Sequence, residues 1–141
     1  MTPLVVDASV AAMWVLPDEP LAEAAAALRN RFVRNEVEAV VPDLFWPEMA
    51  NLFWRAATRG RVTASVAEAG LAAIRNLDLT THASIPLCDQ ALQWGLRYGH
   101  PAYDMIYAAL AAQLGTEVIT ADERWVRAVG SRLPVRWLGA I

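Results

Sequence analysis

The chain has 141 residues and a mass of 15.4 kDa, is 56% apolar and 19% charged, and carries a net charge of −3. That length suits one domain, residues 1–141, with a core of its own, and the apolar share excludes a disordered chain. The single cysteine, Cys88, and only two histidines exclude a disulfide framework and a four-ligand Cys/His zinc site. The acidic balance excludes a protein that grips nucleic acid through a broadly basic surface.

Leu4-Val5-Val6 is an apolar, β-branched run that predicts a strand buried on both faces. A helical stretch follows Asp7 to Leu16, where Pro17 stops it, and a second helix is expected from Leu21 to about Arg34. Ala39-Val40-Val41 reads as a strand. A long helix is expected from Leu44 to Thr58, with Pro47 in its first turn and Gly60 closing it. Thr63 is placed to cap a helix over Ala64 to Asn76. Leu77-Asp78-Leu79 gives a strand signal, and Ile85 to Tyr98 a helix ended by Gly99. The pattern closes with a helix from Ala102 to Leu114, a strand Glu117–Thr120, a helix Glu123–Val129 and a strand Val135–Trp137. Strands alternating with helices predict an α/β sandwich around a short, mostly parallel sheet. The tryptophans are expected mostly in the core, and Cys88 as a small buried side chain.

Ligands of a parallel sheet bind beyond the carboxyl ends of its strands. Asp7 follows the first strand, Asp122 stands just past Thr120, Asp104 lies in the first turn of the Ala-rich helix, and Glu48 near the start of the long helix. Each alone could cap a helix or face solvent. Four together repel unless a cation joins them, and oxygen ligands without a Cys/His set point to Mg2+ or Mn2+. Along the long helix, Glu48, Asn51, Arg55 and Arg59 share one face, and guanidinium forks suit phosphate oxygens. Arg61 reads as a loop charge, His100 as a turn residue, and Asp89 as a helix-start acid.

Four segments taken in order, Val5-Val6-Asp7-Ala8-Ser9, Pro47-Glu48-Met49-Ala50-Asn51 with Arg55, Tyr103-Asp104-Met105-Ile106-Tyr107-Ala108, and Thr120-Ala121-Asp122, resemble the PIN-domain family, most closely its VapC-type ribonuclease toxins. The resemblance covers essentially the whole chain, and Tyr-Asp-x-x-Tyr-Ala is its most specific part. It implies a three-layer α/β/α sandwich, Mg2+-dependent endonucleolytic cleavage of RNA such as tRNA or rRNA, a homodimer and a cognate antitoxin. Asp7, Glu48, Asp104 and Asp122 match the family's four acids, with Asp7 and Asp104 at the usual metal-ligand positions. Ser9 and Thr120 match supporting hydroxyls, and Asn51 and Arg55 match polar positions that are less fixed.

Receiver domains and haloacid-dehalogenase-type phosphatases also gather acids at a strand edge. Both normally need a lysine, and every one of the 12 basic residues here is arginine. The alternatives that remain are a PIN-like domain that binds RNA or protein without cutting, and a PIN nuclease that is not a toxin. No apolar run reaches the roughly 18 residues of a membrane span, and Met1 to Asp7 has no basic leader, so the cytoplasm is the expected compartment. The apolar Phe45, Trp46, Phe53 and Trp54 give the long helix more hydrophobic surface than one core-facing stripe needs, and so a face for a partner.

Overall fold

In the computed structural model, which describes residues 1–141, the first apolar run forms β1 (Thr2–Val6) at the centre of a five-stranded sheet. The order is β3-β2-β1-β4-β5, with β2 at Val37–Pro42, β3 at Thr80–His82, β4 at Val118–Thr120 and β5 at Val135–Trp137. Every pairing is parallel, so the sheet is wholly rather than mostly so. Val5 and Val6 are at most 2% exposed because they have neighbours on both edges and both faces. The chain leaves β1 toward β2 on one side and returns to β4 on the other. The carboxyl ends of β1 and β4 therefore flank the topological switch point, where an open α/β sheet leaves a crevice.

Helices flank this sheet: α1 (Ala8–Ala12), α2 (Ala22–Val33), α3 (Phe45–Thr58), α4 (Ala64–Arg75), α5 (Cys88–Tyr98), α6 (Ala102–Gln113) and α7 (Glu123–Val129). The Ala-rich α6 packs on β1, β2 and β4, with every residue from Met105 to Ala111 buried. A helix apolar on all sides is stable only when covered all round, and Ala108, Ala109 and Ala111 let its axis approach closely. Gly99, in the left-handed region at φ 63°, ends α5 and turns the chain through His100-Pro101 into α6. Thr63 caps α4 as expected, its hydroxyl accepting from the Val66 amide at 3.2 Å.

Several expectations need correction. Helix α1 stops at Ala12 and gives way to turns before Pro17. The third strand is Thr80–His82, not Leu77–Leu79: it is a short edge strand pairing only with Val40–Pro42, and such a strand needs no apolar run. Ile85–Leu87 is a 3-10 turn leading into α5. Cys88 is exposed. Of the six tryptophans only Trp125 is buried, and Trp54 is 61% exposed. Indole N–H groups explain part of this: Trp14 and Trp46 lie at the rim, where they donate to the Ala25 carbonyl and the Thr81 hydroxyl.

Candidate active site

Asp7 is the residue at which β1 becomes α1. Its amide donates to the Ile119 carbonyl, extending the β1–β4 ladder, while its carbonyl opens the helix. The carboxyl is thereby fixed at the mouth of the crevice, only 7% exposed. Its Oδ2 accepts two hydroxyl bonds, from Ser9 at 2.7 Å and Thr120 at 2.8 Å. Each hydroxyl is in turn aligned by a backbone amide from the end of β4: Ala121 N–H donates to Ser9, and Asp122 N–H to Thr120. Two parallel relays thus tie Asp7 to the loop that carries Asp122. Thr120 is 0% exposed. Thr120→Val removes a buried hydroxyl and leaves the Asp122 amide without its acceptor. It is expected to cost about 1–3 kcal/mol in urea unfolding.

The other acids arrive from separate elements. Glu48, half-buried in the first turn of α3, accepts from the Tyr107 hydroxyl at 2.7 Å. Asp104, in the first turn of α6, has Oδ2 2.6 Å from His100 Nε2. Asp122 caps α7, its Oδ1 accepting from the Arg124 and Trp125 amides. A single cavity of about 480 Å³ takes in Asp7, Glu48, Asp104 and Asp122, together with Ser9, Asn51, Arg55 and Tyr103. Thr120 is not in its lining and reaches it only through its bond to Asp7. Glu48, Asn51 and Arg55, on one face of α3 as their spacing predicts, line one wall of this cavity, whereas Arg59, expected on the same face, lies outside it.

The electrostatics are those of uncompensated carboxylates. Burial pushes the Asp7 carboxyl up to about 6; the Ser9 and Thr120 hydroxyls oppose this, and the Asp104 charge adds to it. Burial likewise lifts Glu48 to about 7, against its bond from Tyr107 and with the charges of Asp7 and Asp104 behind it. Tyr107 is held protonated by burial and by the same two acids, Asp7 and Glu48. Arg55 shares the cavity yet forms no ion pair with any of the four acids; the arginines that do pair are Arg31, Arg61 and Arg136. No three acid, His or Cys side chains enclose an ion on their own. Glu48, Asp104 and Asp122 each have one oxygen engaged by a hydroxyl, a ring nitrogen or backbone amides and the other without a protein donor, while Asp7 also feels the Ala8 amide. Such a set does not make a closed protein cage. It does fit Mg2+, which keeps several waters and takes one or two carboxylates.

Residues 4–130 match the profile of the PIN domain. The chain belongs to the PIN-domain family. Among relatives of this PIN domain, Ribonuclease VapC3 of Pyrobaculum aerophilum is 31% identical over 123 residues, covering 86% of this chain and 90% of the relative. Among solved structures, PAE2754 from Pyrobaculum aerophilum superposes with a TM-score of 0.73 at 21% identity, covering 99% of this chain and 85% of the other. VapBC2 from Rickettsia felis, bound to a DNA fragment from its promoter, gives 0.68 at 8% identity over 96% and 98% of the two chains. At such identities the two structures establish the fold alone.

Two members of the site escaped the reading of the sequence. His100 is not a bare turn residue: it binds Asp104, and its ring stacks on Trp125 with centroids 5.7 Å apart. Tyr107 holds Glu48. Tyr107 had a signal, since it follows Asp104 by three residues and so shares its helix face. His100 had only its proximity, because it precedes the helix. Asp89 is exposed on α5, outside the cavity, and Arg61 is no free loop charge but pairs with Glu19 at 2.8 Å.

Proposed function

We propose that this PIN domain is a Mg2+-dependent endoribonuclease, the toxin of a VapBC-like toxin–antitoxin pair, and that it cuts structured RNA such as tRNA or rRNA. The observation that carries this reading is the convergence of four carboxylates from four distant segments in one open cavity at the switch point. No basic side chain neutralises Asp7 or Glu48, and burial raises both; a divalent cation is the partner that such a set lacks. The relatives named as VapC ribonucleases support the activity, and the toxin–antitoxin complex among the neighbours of the fold supports an antitoxin partner.

Asp7 and Asp104 would hold Mg2+ (or Mn2+), Asp122 would act through the waters of the ion, and Ser9 and Thr120 fix Asp7. Bound there, the ion supplies Lewis-acid polarisation and positive charge at the scissile phosphate. Glu48 keeps Oε1 on the Tyr107 hydroxyl and Oε2 free of protein partners. Lifted toward neutral pH, Glu48 is suited to take the proton of an attacking water. Asn51 and Arg55, on the same wall, present an amide and a guanidinium to phosphate oxygens. A homodimer and an antitoxin fit the apolar surface left open on α3 and α4, where a cavity of about 250 Å³ is lined by Phe53, Trp54 and Leu71. No helix is long and apolar enough to cross a membrane, and the cytoplasm, where RNA and antitoxin are met, is the proposed compartment.

Sequencing 5′ ends of total RNA treated with the purified protein and Mg2+ tests the reading. Wild type is expected to create a small set of discrete ends that Glu48→Gln does not. Absence of new ends would leave an RNA- or protein-binding domain instead, and equal cutting by the variant would take Glu48 out of the chemistry. Growth arrest on expression, relieved by a small neighbouring gene product, separates a toxin from an RNA-processing nuclease.

A further inference from the structure

The acidic cavity does not end at Arg55. A second cavity of about 210 Å³ adjoins it between α1, the loop after it and α3, sharing Ser9, Leu52 and Arg55 with the first. Its chemistry is opposite. Arg55 and Arg59, one turn apart on α3, both line it, and neither has an ion-pair or hydrogen-bond partner. The one acid in its lining, Glu19, is already taken by Arg61, whose guanidinium also donates to the Pro17 carbonyl at 3.0 Å. That clamp ties the loop before α2 to the turn after α3. The floor is apolar, with Met13, Leu16 and Leu52.

We infer that this cavity receives the nucleotide next to the scissile phosphate, in a single-stranded stretch of RNA. The inference rests on the nuclease reading of the adjoining site, and it assigns the substrate's path rather than the chemistry. The strand runs along α3 from the carboxylates toward Arg59. Its base lies on the apolar floor, and its flanking phosphates meet the two free guanidiniums. Three features select RNA as the occupant. The groove adjoins the acid site and shares Ser9, Leu52 and Arg55 with it, so a strand held at the acids passes beside it. Its uncompensated charge is positive, directly beside a cluster that repels anions, so a polyanion held at the acids needs this relief. The two arginines are about 6 Å apart along the helix axis, a step comparable to that between neighbouring phosphates of an unstacked strand, and single-stranded loops offer bases for such burial. In a chain of net charge −3, this local pair supplies the cationic track that the overall composition lacks.

The test uses the cleavage-disabled Asp7→Asn protein and a 5′-fluorescein single-stranded oligoribonucleotide, with binding read by anisotropy across a salt series. Adding Arg59→Gln is expected to weaken binding roughly 5- to 10-fold near 0.1 M salt and to reduce the slope of log K against log salt by about 0.7. Arg59→Glu weakens it further, and Arg59→Lys restores most of the affinity. Arg31→Gln, on α2 beside the amino ends of β1 and β2, leaves binding unchanged; thermal melts confirm that each variant is folded. Unchanged affinity and slope in Arg59→Glu overturn the inference, as does the lack of saturable binding by the Asp7→Asn parent. Cleavage of total RNA by wild type is scored separately. Cleavage with no Arg59 dependence sinks the groove and spares the nuclease. Arg59-dependent binding without cleavage sinks the nuclease and supports the groove.

Discussion

Asp7→Asn is expected to abolish RNA cleavage and at the same time to stabilise the metal-free protein at pH 8. The loss of activity follows from removing one of the two carboxylates proposed to hold the ion. Several kcal/mol of charge stabilisation at the scissile phosphate correspond to about 10³-fold or more in kcat. The gain in stability follows from the cost of ionising Asp7 in the fold. Its carboxyl titrates near 3.8 when unfolded and at about 6 when folded, so the native state holds its proton more tightly. Stability contributed by the protonated form is complete below pH 4 and is lost as the pH rises toward 6. At pH 8 the full penalty applies, at most about 3 kcal/mol at 1.36 kcal/mol per pKa unit. The amide gives part of this back, because it receives the Ser9 and Thr120 hydroxyls less favourably than a carboxylate does. A net gain of about 1–2 kcal/mol is expected in urea unfolding at pH 8, shrinking toward zero at pH 4.5. A variant less stable than wild type at pH 8 would show that the hydroxyl pair outweighs desolvation.

Divalent cation should act on the same penalty from the other side. Chelation with EDTA is expected to reduce cleavage by wild type at least 10³-fold, with recovery on adding Mg2+ or Mn2+. In the absence of RNA, 10 mM Mg2+ should raise the melting temperature, and the rise should depend on pH in a definite direction. Asp7 and Glu48 ionise in the fold only as the pH passes about 6 and about 7. Below that window they are protonated and offer the ion little; above it they are charged, mutually repelled and in need of it. The shift should therefore be near zero at pH 5 and largest at pH 8. There, saturation tenfold to a hundredfold above Kd gives about 1.4–2.7 kcal/mol, several degrees for a chain of this size. Asp7→Asn should lose most of the shift. A cation effect independent of pH, or equal in the variant, would place the ion elsewhere.

The contrast between Asp104 and Asp89 shows how far the sequence carried the site. Both acids sit at helix starts, and dipole compensation alone explains either. What separates them is that the helix of Asp104 is apolar on all sides and must lie against the sheet, whereas α5 keeps one side in solvent, with Leu92 and Leu96 exposed and Asp89 on that exposed surface. The third strand shows the opposite case. A short edge strand is selected by its neighbour's unpaired amides and carbonyls rather than by its own side chains, so Thr80–His82 left almost no pattern to read. His100 was opaque for a similar reason. Its role depends on Gly99 turning the chain and on Trp125, more than twenty residues later, supplying a ring to stack on.

The amino-acid order alone determined the alternation of strands and helices, the four acids and their placement after strands or at helix starts, and the single polar face of α3. Those features are local, set by periodicity, capping and the position of an acid beside an apolar run. The tertiary structure decided which of the many acids share a cavity, that Ser9 and Thr120 lock Asp7 through amides at the end of β4, and that Arg55 and Arg59 stay unpaired while Arg61 does not. The physical reason is that desolvation and charge repulsion depend on distance through space. Residues 113 positions apart, such as Asp7 and Thr120, come within hydrogen-bonding reach only when β1 and β4 pair.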